Sequence, residues 1–136
     1  MDSATKRAII RVRLEKAHED FETARDLLTV TRWRGAVNRA YYAVFHSASA
    51  ALLWLDIERA RHSGVEAAFH QFFVKTGLIE VEYGQIYRAA RDWREEQDYS
   101  IAARHLDEAT TGELVHNAER FVARLERYLR DAGGLE

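Results

Sequence analysis

The stretch Asn38-Arg39-Ala40-Tyr41-Tyr42-Ala43-Val44-Phe45-His46-Ser47-Ala48-Ser49-Ala50-Ala51-Leu52-Leu53 decides the fold, because it spells a helix while being apolar or small almost all the way round. At about 100° per residue, Ala36, Ala40, Ala43, Ser47, Ala50, Ala51 and Trp54 share one sector, and Tyr41, Phe45, Ala48 and Leu52 fill the opposite one. A helix without a broad polar face is surrounded by protein. This one is expected at the centre, with the other helices packed round it. Its polar exceptions fall on one stripe: Arg39, Tyr42 and His46 stand at i, i+3 and i+7, the outer two roughly 10 Å apart along the axis.

Outward from this rod, 136 residues make one domain spanning 1–136. Cysteine is absent, which excludes disulfides, thiolate zinc sites and cysteine nucleophiles. Proline is absent too and glycines number only seven, so nothing opposes an all-helical chain. The longest apolar-leaning run, Ala40 to Leu55, is about 16 residues and carries His46, short of a bilayer crossing. Met1 to Glu15 is charged throughout and does not read as a leader, so no membrane association and a cytoplasmic location are expected. The net charge of −2 argues against whole-domain attraction to nucleic acid and leaves local patches open. Of the 20 basic residues 17 are Arg, which fits guanidinium chemistry at an interface or an RNA surface, or more blandly GC-rich codon usage.

The first helix is expected from about Ala4 to Thr29, where Ile10, Leu14, Ala17, Phe21, Ala24 and Leu28 alternate steps of four and three. Thr29-Val30-Thr31-Arg32 breaks the period and turns the chain into the central helix, Trp33 to about Leu55. A capping box at Ser63 and Glu66 opens a short helix with Val65, Ala68, Phe69, Phe72 and Phe73 inward, closed by Gly77. The next helix begins near Glu80, carries Tyr83, Ile86, Tyr87, Ala90 and Trp93 at helical spacing, and stops near Tyr99-Ser100. A second capping box, Thr110-Thr111-Gly112-Glu113, introduces a last helix to about Asp131, after which Gly133-Gly134 frees a disordered tail from about residue 132. Short connections between long amphipathic helices favour antiparallel neighbours. The expected fold is all-α, an up-and-down bundle of four main helices plus one short helix.

Two Glu-x-x-His pairs, Glu15/His18 and Glu113/His116, raise a di-metal reading that geometry rejects. Glu15 lies about 140° from its helix's apolar stripe and His116 about 170° from its own, and no acidic residue stands between Asp26 and Asp56 to supply the inward carboxylates. No Gly-x-Ser-x-Gly elbow and no glycine-rich phosphate loop appears, so neither metal nor cofactor is expected. What remains is the stripe Arg39, Tyr42, His46 and the segment holding Arg91, Arg94, Asp98 and Tyr99. Asp98 can pair with Arg94 one turn back, either as a plain helix-end ion pair or as the far wall of a groove faced by the stripe. His46 read alone suits a hydrogen-bonded core histidine better than a catalytic base.

At these residues the chain resembles the HEPN domains associated with prokaryotic minimal nucleotidyltransferases, in the branch of short stand-alone proteins. The resemblance rests on the helix Ala36-Val37-Asn38-Arg39-Ala40-Tyr41-Tyr42-Ala43-Val44-Phe45-His46, on His62-Ser63-Gly64-Val65, on Phe72-Phe73-Val74-Lys75-Thr76-Gly77, and on Arg94-x-x-x-Asp98-Tyr99, in unbroken order from Ala17 to Tyr99. Asp107 to Asp131 matches only as a closing helix. The resemblance implies a HEPN-like all-α bundle, a homodimer, a nucleotidyltransferase protein partner, and a place in toxin–antitoxin or RNA-linked systems. It also implies that active ribonucleases of the wider family carry Arg-(x4–6)-His before the last helix, the arginine holding the scissile phosphate and the histidine moving a proton.

This sequence departs from that pattern, since Asp98 stands where the histidine would. An Asp with an ordinary pKa of about 3.9, against about 6.5 for His, is an anion at neutral pH and repels a phosphate. Arg39-x6-His46 satisfies the motif literally but on the second helix. The preferred reading is therefore a helical binding module that dimerises and docks a nucleotidyltransferase without ribonuclease activity of its own. In that reading Arg39, Tyr42, His46, Arg91, Arg94, Asp98 and Tyr99 recognise a partner, a nucleotide or RNA, and Tyr99 is a candidate acceptor of a nucleotidyl group. The alternative is a metal-independent RNA endonuclease with a site shared across a dimer, its catalytic candidates Arg39, His46 and Arg94. A plain scaffold without a groove is the third.

Overall fold

The computed structural model describes Met1–Glu136 and contains five helices and no strand. They are α1 (Ser3–Thr29), α2 (Trp33–Trp54), α3 (His62–Phe69), α4 (Val81–Tyr99) and α5 (Glu108–Ala132), and α3 continues into a π-helical turn, His70–Val74. The all-α bundle of four long helices and one short one is thus present. No helix is long and apolar enough to cross a membrane.

Helix α2 is the centre, packing against α1, α3, α4 and α5. Ala36, Ala40, Ala43, Ala48, Ala50 and Ala51 are all fully buried, and their small size lets the neighbouring helix backbones approach closely. Tyr41 and Leu52 are sealed in the core, and Phe45 is half-buried. Buried Ser47 donates to the carbonyls of Ala43 and Val44, both at 3.0 Å, so its hydroxyl is satisfied without a partner helix. At the C-terminal end of α2, Lys6 from α1 donates to the Trp54 carbonyl and to Asp56, placing a buried cation where the helix dipole is negative. The turn between α1 and α2 is tight enough to put Thr31 at φ 61°, a strained region for a β-branched residue.

The structure differs from both capping expectations. Helix α3 starts at His62 behind Arg61, with no side-chain cap. Glu66 turns away from Ser63 and meets Arg91 of α4 at 3.0 Å, because a charge-assisted bond to a guanidinium outweighs a neutral backbone cap. Helix α5 starts a turn earlier than the Thr110–Glu113 pattern suggests. Asp107 accepts from the Thr110 amide at 2.7 Å and Glu108 sits in the first turn, so an upstream Asp with an acidic follower wins the helix start. Thr111 is then buried inside the helix.

Two glycines answer local demands. Gly84 is buried where α4 crosses the π-helical turn, and a Cβ there would stand 2.9 Å from His70 Cε1. Gly133 takes φ 91° and closes α5, after which the amides of Gly134 and Leu135 return to the Leu129 carbonyl. Arg7 also donates to the Gly133 carbonyl at 2.9 Å. Where a free tail is expected from about residue 132, the chain instead folds back, because an arginine and a cleft beside Trp54 hold it.

Candidate functional site

The polar stripe of α2 meets α4 through one side chain, Tyr42. The Arg39 guanidinium lies 4.7 Å from the Tyr42 ring centre on one side, and Arg94 of α4 lies 5.4 Å from it. Arg94 also stacks over Tyr41 at 4.7 Å. A guanidinium is weakly hydrated and planar, so two aromatic faces can replace much of its water. Burial pushes the Tyr41 hydroxyl up to about 12, which keeps that ring neutral beneath the cation. Asp98, one turn on from Arg94, brings a carboxylate oxygen to 3.6 Å from Arg94 Nε, too far for a hydrogen bond.

On the other side of Tyr42 the stripe is tied to α1. Asp20 accepts from Arg39 at 2.9 Å and its second oxygen lies 3.6 Å from His46 Nε2. Asn38 accepts from Arg39 as well, at 2.8 Å. His46 packs on Tyr42 and Phe45, with ring centres at 6.0 and 5.3 Å. Its pKa is pushed down by burial, against the opposing pull of the Asp20 carboxylate, so it is neutral near pH 7. Arg39, Tyr42 and His46 border none of the cavities in the structure; they form a shallow surface.

Of the seven residues singled out in the sequence, the structure therefore joins Arg39, Tyr42, His46, Arg94 and Asp98. It does not join the other two to them. Arg91 leans toward α3, held by Glu66 at 3.0 Å and by Asp92 at 2.8 Å. Tyr99, at the end of α4, projects into solvent with 74% of its surface exposed. Candidate metal residues disperse: Glu15 and His116 are exposed, and His18 contacts Glu126 of α5.

Two participants escaped the sequence reading. Asp20 sits three residues after core Ala17, at the edge of the α1 stripe, and that edge position is the only signal that it faces α2. His62 carries no role in the spacing of the helices, yet its ring lies 4.3 Å from Phe45, 5.6 Å from Tyr42 and 5.9 Å from Tyr41, on the same aromatic platform as Arg94. Burial and the Arg94 charge both lower its pKa. Its signal was the His62-Ser63-Gly64-Val65 block, which opens α3.

Comparison with known proteins bears on this arrangement. A model of the HEPN domain matches residues 10–128. The chain is 36% identical over 126 residues to a UPF0332 protein of Thermotoga maritima, across 93% of this chain and 95% of that one. It is likewise 36% identical over 122 residues to the Methanocaldococcus jannaschii protein named "Putative toxin MJ0605", across 90% of each. A second protein of that organism, "Putative toxin MJ0142", is 30% identical over 116 residues, which is 85% of this chain and 78% of the relative. With the family model spanning nearly the whole bundle, from the first turns of α1 to the last of α5, the chain belongs to the HEPN domain family.

Proposed function

We propose that this chain is a toxin-like HEPN module that dimerises, pairs with a nucleotidyltransferase in the cytoplasm, and acts by recognition rather than by cleaving RNA. The observation that carries this reading is the carboxylate of Asp98 beside Arg94. An arginine that is to hold a scissile phosphate needs a neutral or cationic proton carrier next to it, and here an anion competes for the same guanidinium. The second arginine–histidine pair is similarly engaged, since Asp20 stands between Arg39 and His46. Two relatives named as toxins, together with membership in the family, support the toxin-like assignment.

Tyr99 is the acceptor in this proposal. Its exposure at the end of α4 leaves the hydroxyl accessible to a second protein. The phenolic oxygen attacks the α-phosphorus of a nucleoside triphosphate held by the partner, the bond to pyrophosphate breaks, and the phenolic proton passes to the partner's base. The test is intact-mass spectrometry after incubation with a minimal nucleotidyltransferase, ATP and magnesium. One added nucleotidyl group on wild type and none on Tyr99→Phe is expected. An unmodified wild type removes this version.

A ribonuclease reading retains one favourable observation: burial keeps His46 unprotonated near neutral pH, as a general base must be. In that reading Arg39, His46 and Arg94 act across a dimer. It requires wild type and His46→Ala to cleave RNA at clearly different rates, and equal rates, or none, dispose of it.

A further inference from the structure

The turn from α1 into α2 faces the connector from α4 to α5 across an open cleft of about 510 Å³. None of Arg39, Tyr42, His46, Arg94 or Asp98 borders it. Its floor is apolar. Trp33 and Leu106 line it, and they pack with Val37, Leu114 and Trp93 in a small cluster separate from the main core. Leu106 is buried and Trp33 only partly so, which leaves apolar surface open to the cleft.

The two rims differ in charge. On the connector side the chain satisfies its own groups. Arg104 lies 3.7 Å from the Trp93 ring centre and pairs with Glu96 at 2.6 Å, its amide donates to the same carboxylate at 2.8 Å, and Gln97 donates to its carbonyl at 2.8 Å. Asp92 also faces Arg104, and Asp107 faces His105 while capping α5 through the Thr110 amide. On the turn side Arg32 and Arg34 are exposed, and neither pairs with a carboxylate, Asp26 of α1 included. Arg32, Arg34 and Arg104 are thus matched in number by Asp92, Glu96 and Asp107, and the cleft has no net charge. It has a separation of charge instead, with two free guanidiniums on one rim. Both stand at the start of α2, Arg32 as N-cap and Arg34 in the first turn, where no acidic residue accompanies them, and cations there oppose the helix dipole. A local preference broken without a compensating contact inside the fold is expected where the fold serves a partner.

We propose that this cleft docks a protein segment in which an aromatic or branched aliphatic side chain seats on Trp33 and Leu106 while acidic residues beside it meet Arg32 and Arg34. Apolar contact supplies the affinity, and the carboxylates set the orientation. The size of the cleft admits such an anchor with its flanking backbone. The clamped connector leaves little of the wall to be ordered on binding. An RNA strand fits less well, because it needs a run of cations along its phosphates, and Asp92, Glu96 and Asp107 on the far rim repel them. Gln97 borders the cleft two residues before Tyr99, so a protein docked here stands beside the proposed acceptor. The inference rests on the recognition reading only in giving the chain a protein partner. It is tested on the chain alone, so its failure leaves the mass experiment on Tyr99 standing, and an unmodified Tyr99 leaves the cleft standing.

The test is selection of phage-displayed random dodecapeptides on the wild-type chain, followed by fluorescence anisotropy of the enriched peptides carrying fluorescein. Enriched sequences are expected to join Asp or Glu to Phe, Trp, Leu or Ile, and to bind more weakly as salt is raised. The double variant Arg32→Glu/Arg34→Glu should weaken them by about tenfold, the size of two exposed ion pairs lost. Acidic residues suit the start of a helix, so this variant keeps its fold. Ala103→Phe fills the cleft without changing its charge and should weaken the same peptides by at least as much. Circular dichroism checks that both variants stay folded. A hexa-adenylate labelled in the same way is expected to bind wild type no tighter than the double variant. No enriched peptide, enriched peptides without acidic residues, unchanged affinity in either variant, or hexa-adenylate binding that the double variant loses would each overturn the assignment.

Discussion

Replacing Asp20 by Asn removes one negative charge from between α1 and α2 while keeping the side chain's shape. Asp20 is 14% exposed, accepts from Arg39 at 2.9 Å and lies 3.6 Å from His46. Two unit charges about 4 Å apart attract by about 4 kcal/mol at an effective dielectric of about 20. Little of that survives as net stability, because Asp20 gave up water to reach its place and Arg39 keeps its bond to Asn38 at 2.8 Å. The amide still offers an oxygen. The loss is then the difference between a charge-assisted and a neutral hydrogen bond, about 1–1.5 kcal/mol, or about 3–6 °C in Tm for a domain of this size. His46 reports independently. Asp20 is the influence that opposes its burial, so its titration moves still lower in Asp20→Asn. Thermal denaturation and an NMR pH titration of the imidazole measure both. An unchanged Tm, or a His46 that titrates higher, would refute the reasoning. So would the appearance of RNA cleavage in Asp20→Asn, since that would mean Arg39 and His46 form a phosphate site that Asp20 merely masks.

Three further outcomes follow from the same structure. His46, His62 and His70 all have pKa values lowered chiefly by burial, so the unfolded chain takes up protons first on acidification. Stability is therefore full above about 6.5, the ordinary histidine value, and falls as pH drops below it; a Tm that stays flat between pH 7.5 and 5.5 would contradict this. Asp107→Ala should lower Tm by about 3–5 °C through loss of the α5 cap, while Thr110→Ala should shift it by less than about 2 °C, because only the Thr110 amide is used. Comparable losses in the two variants would restore the capping box at Thr110. In Gly84→Ala the gain in helix propensity, about 1 kcal/mol, meets a Cβ contact of 2.9 Å with His70 and 3.2 Å with Val74, and the overpacking is expected to win by about 1 kcal/mol in urea denaturation. A stabilised variant would show that the π-helical turn yields easily.

Much of the fold was legible because helix periodicity is local. The alternation of Ile10, Leu14, Ala17, Phe21 and Ala24 marks a buried stripe whatever lies against it, and all five are buried. The all-round apolar character of α2 similarly demanded neighbours on every side. The i, i+4 pairing of Arg94 with Asp98 belongs to one helix and could be read from spacing alone. Helix starts were less legible, since Ser63 and Thr110 are chemically able to cap and lose only to competitors. Glu66 is drawn away by Arg91, twenty-five residues later, and Asp107 offers an earlier start.

The site itself divides along the same line. Spacing placed Arg39, Tyr42 and His46 on one stripe, and residue chemistry marked Asp98 as an anion where the family carries a histidine. Which helix supplies the counter-charge to that stripe, which histidine stands beside Arg94, and which side Arg91 leans toward are relations among α1, α2, α3 and α4. Asp20 and His46 are twenty-six residues apart, and His62 and Arg94 thirty-two. No helical period spans such distances. Their meeting follows from how closely the alanines of α2 let its neighbours approach, and so it becomes visible only once the bundle is packed.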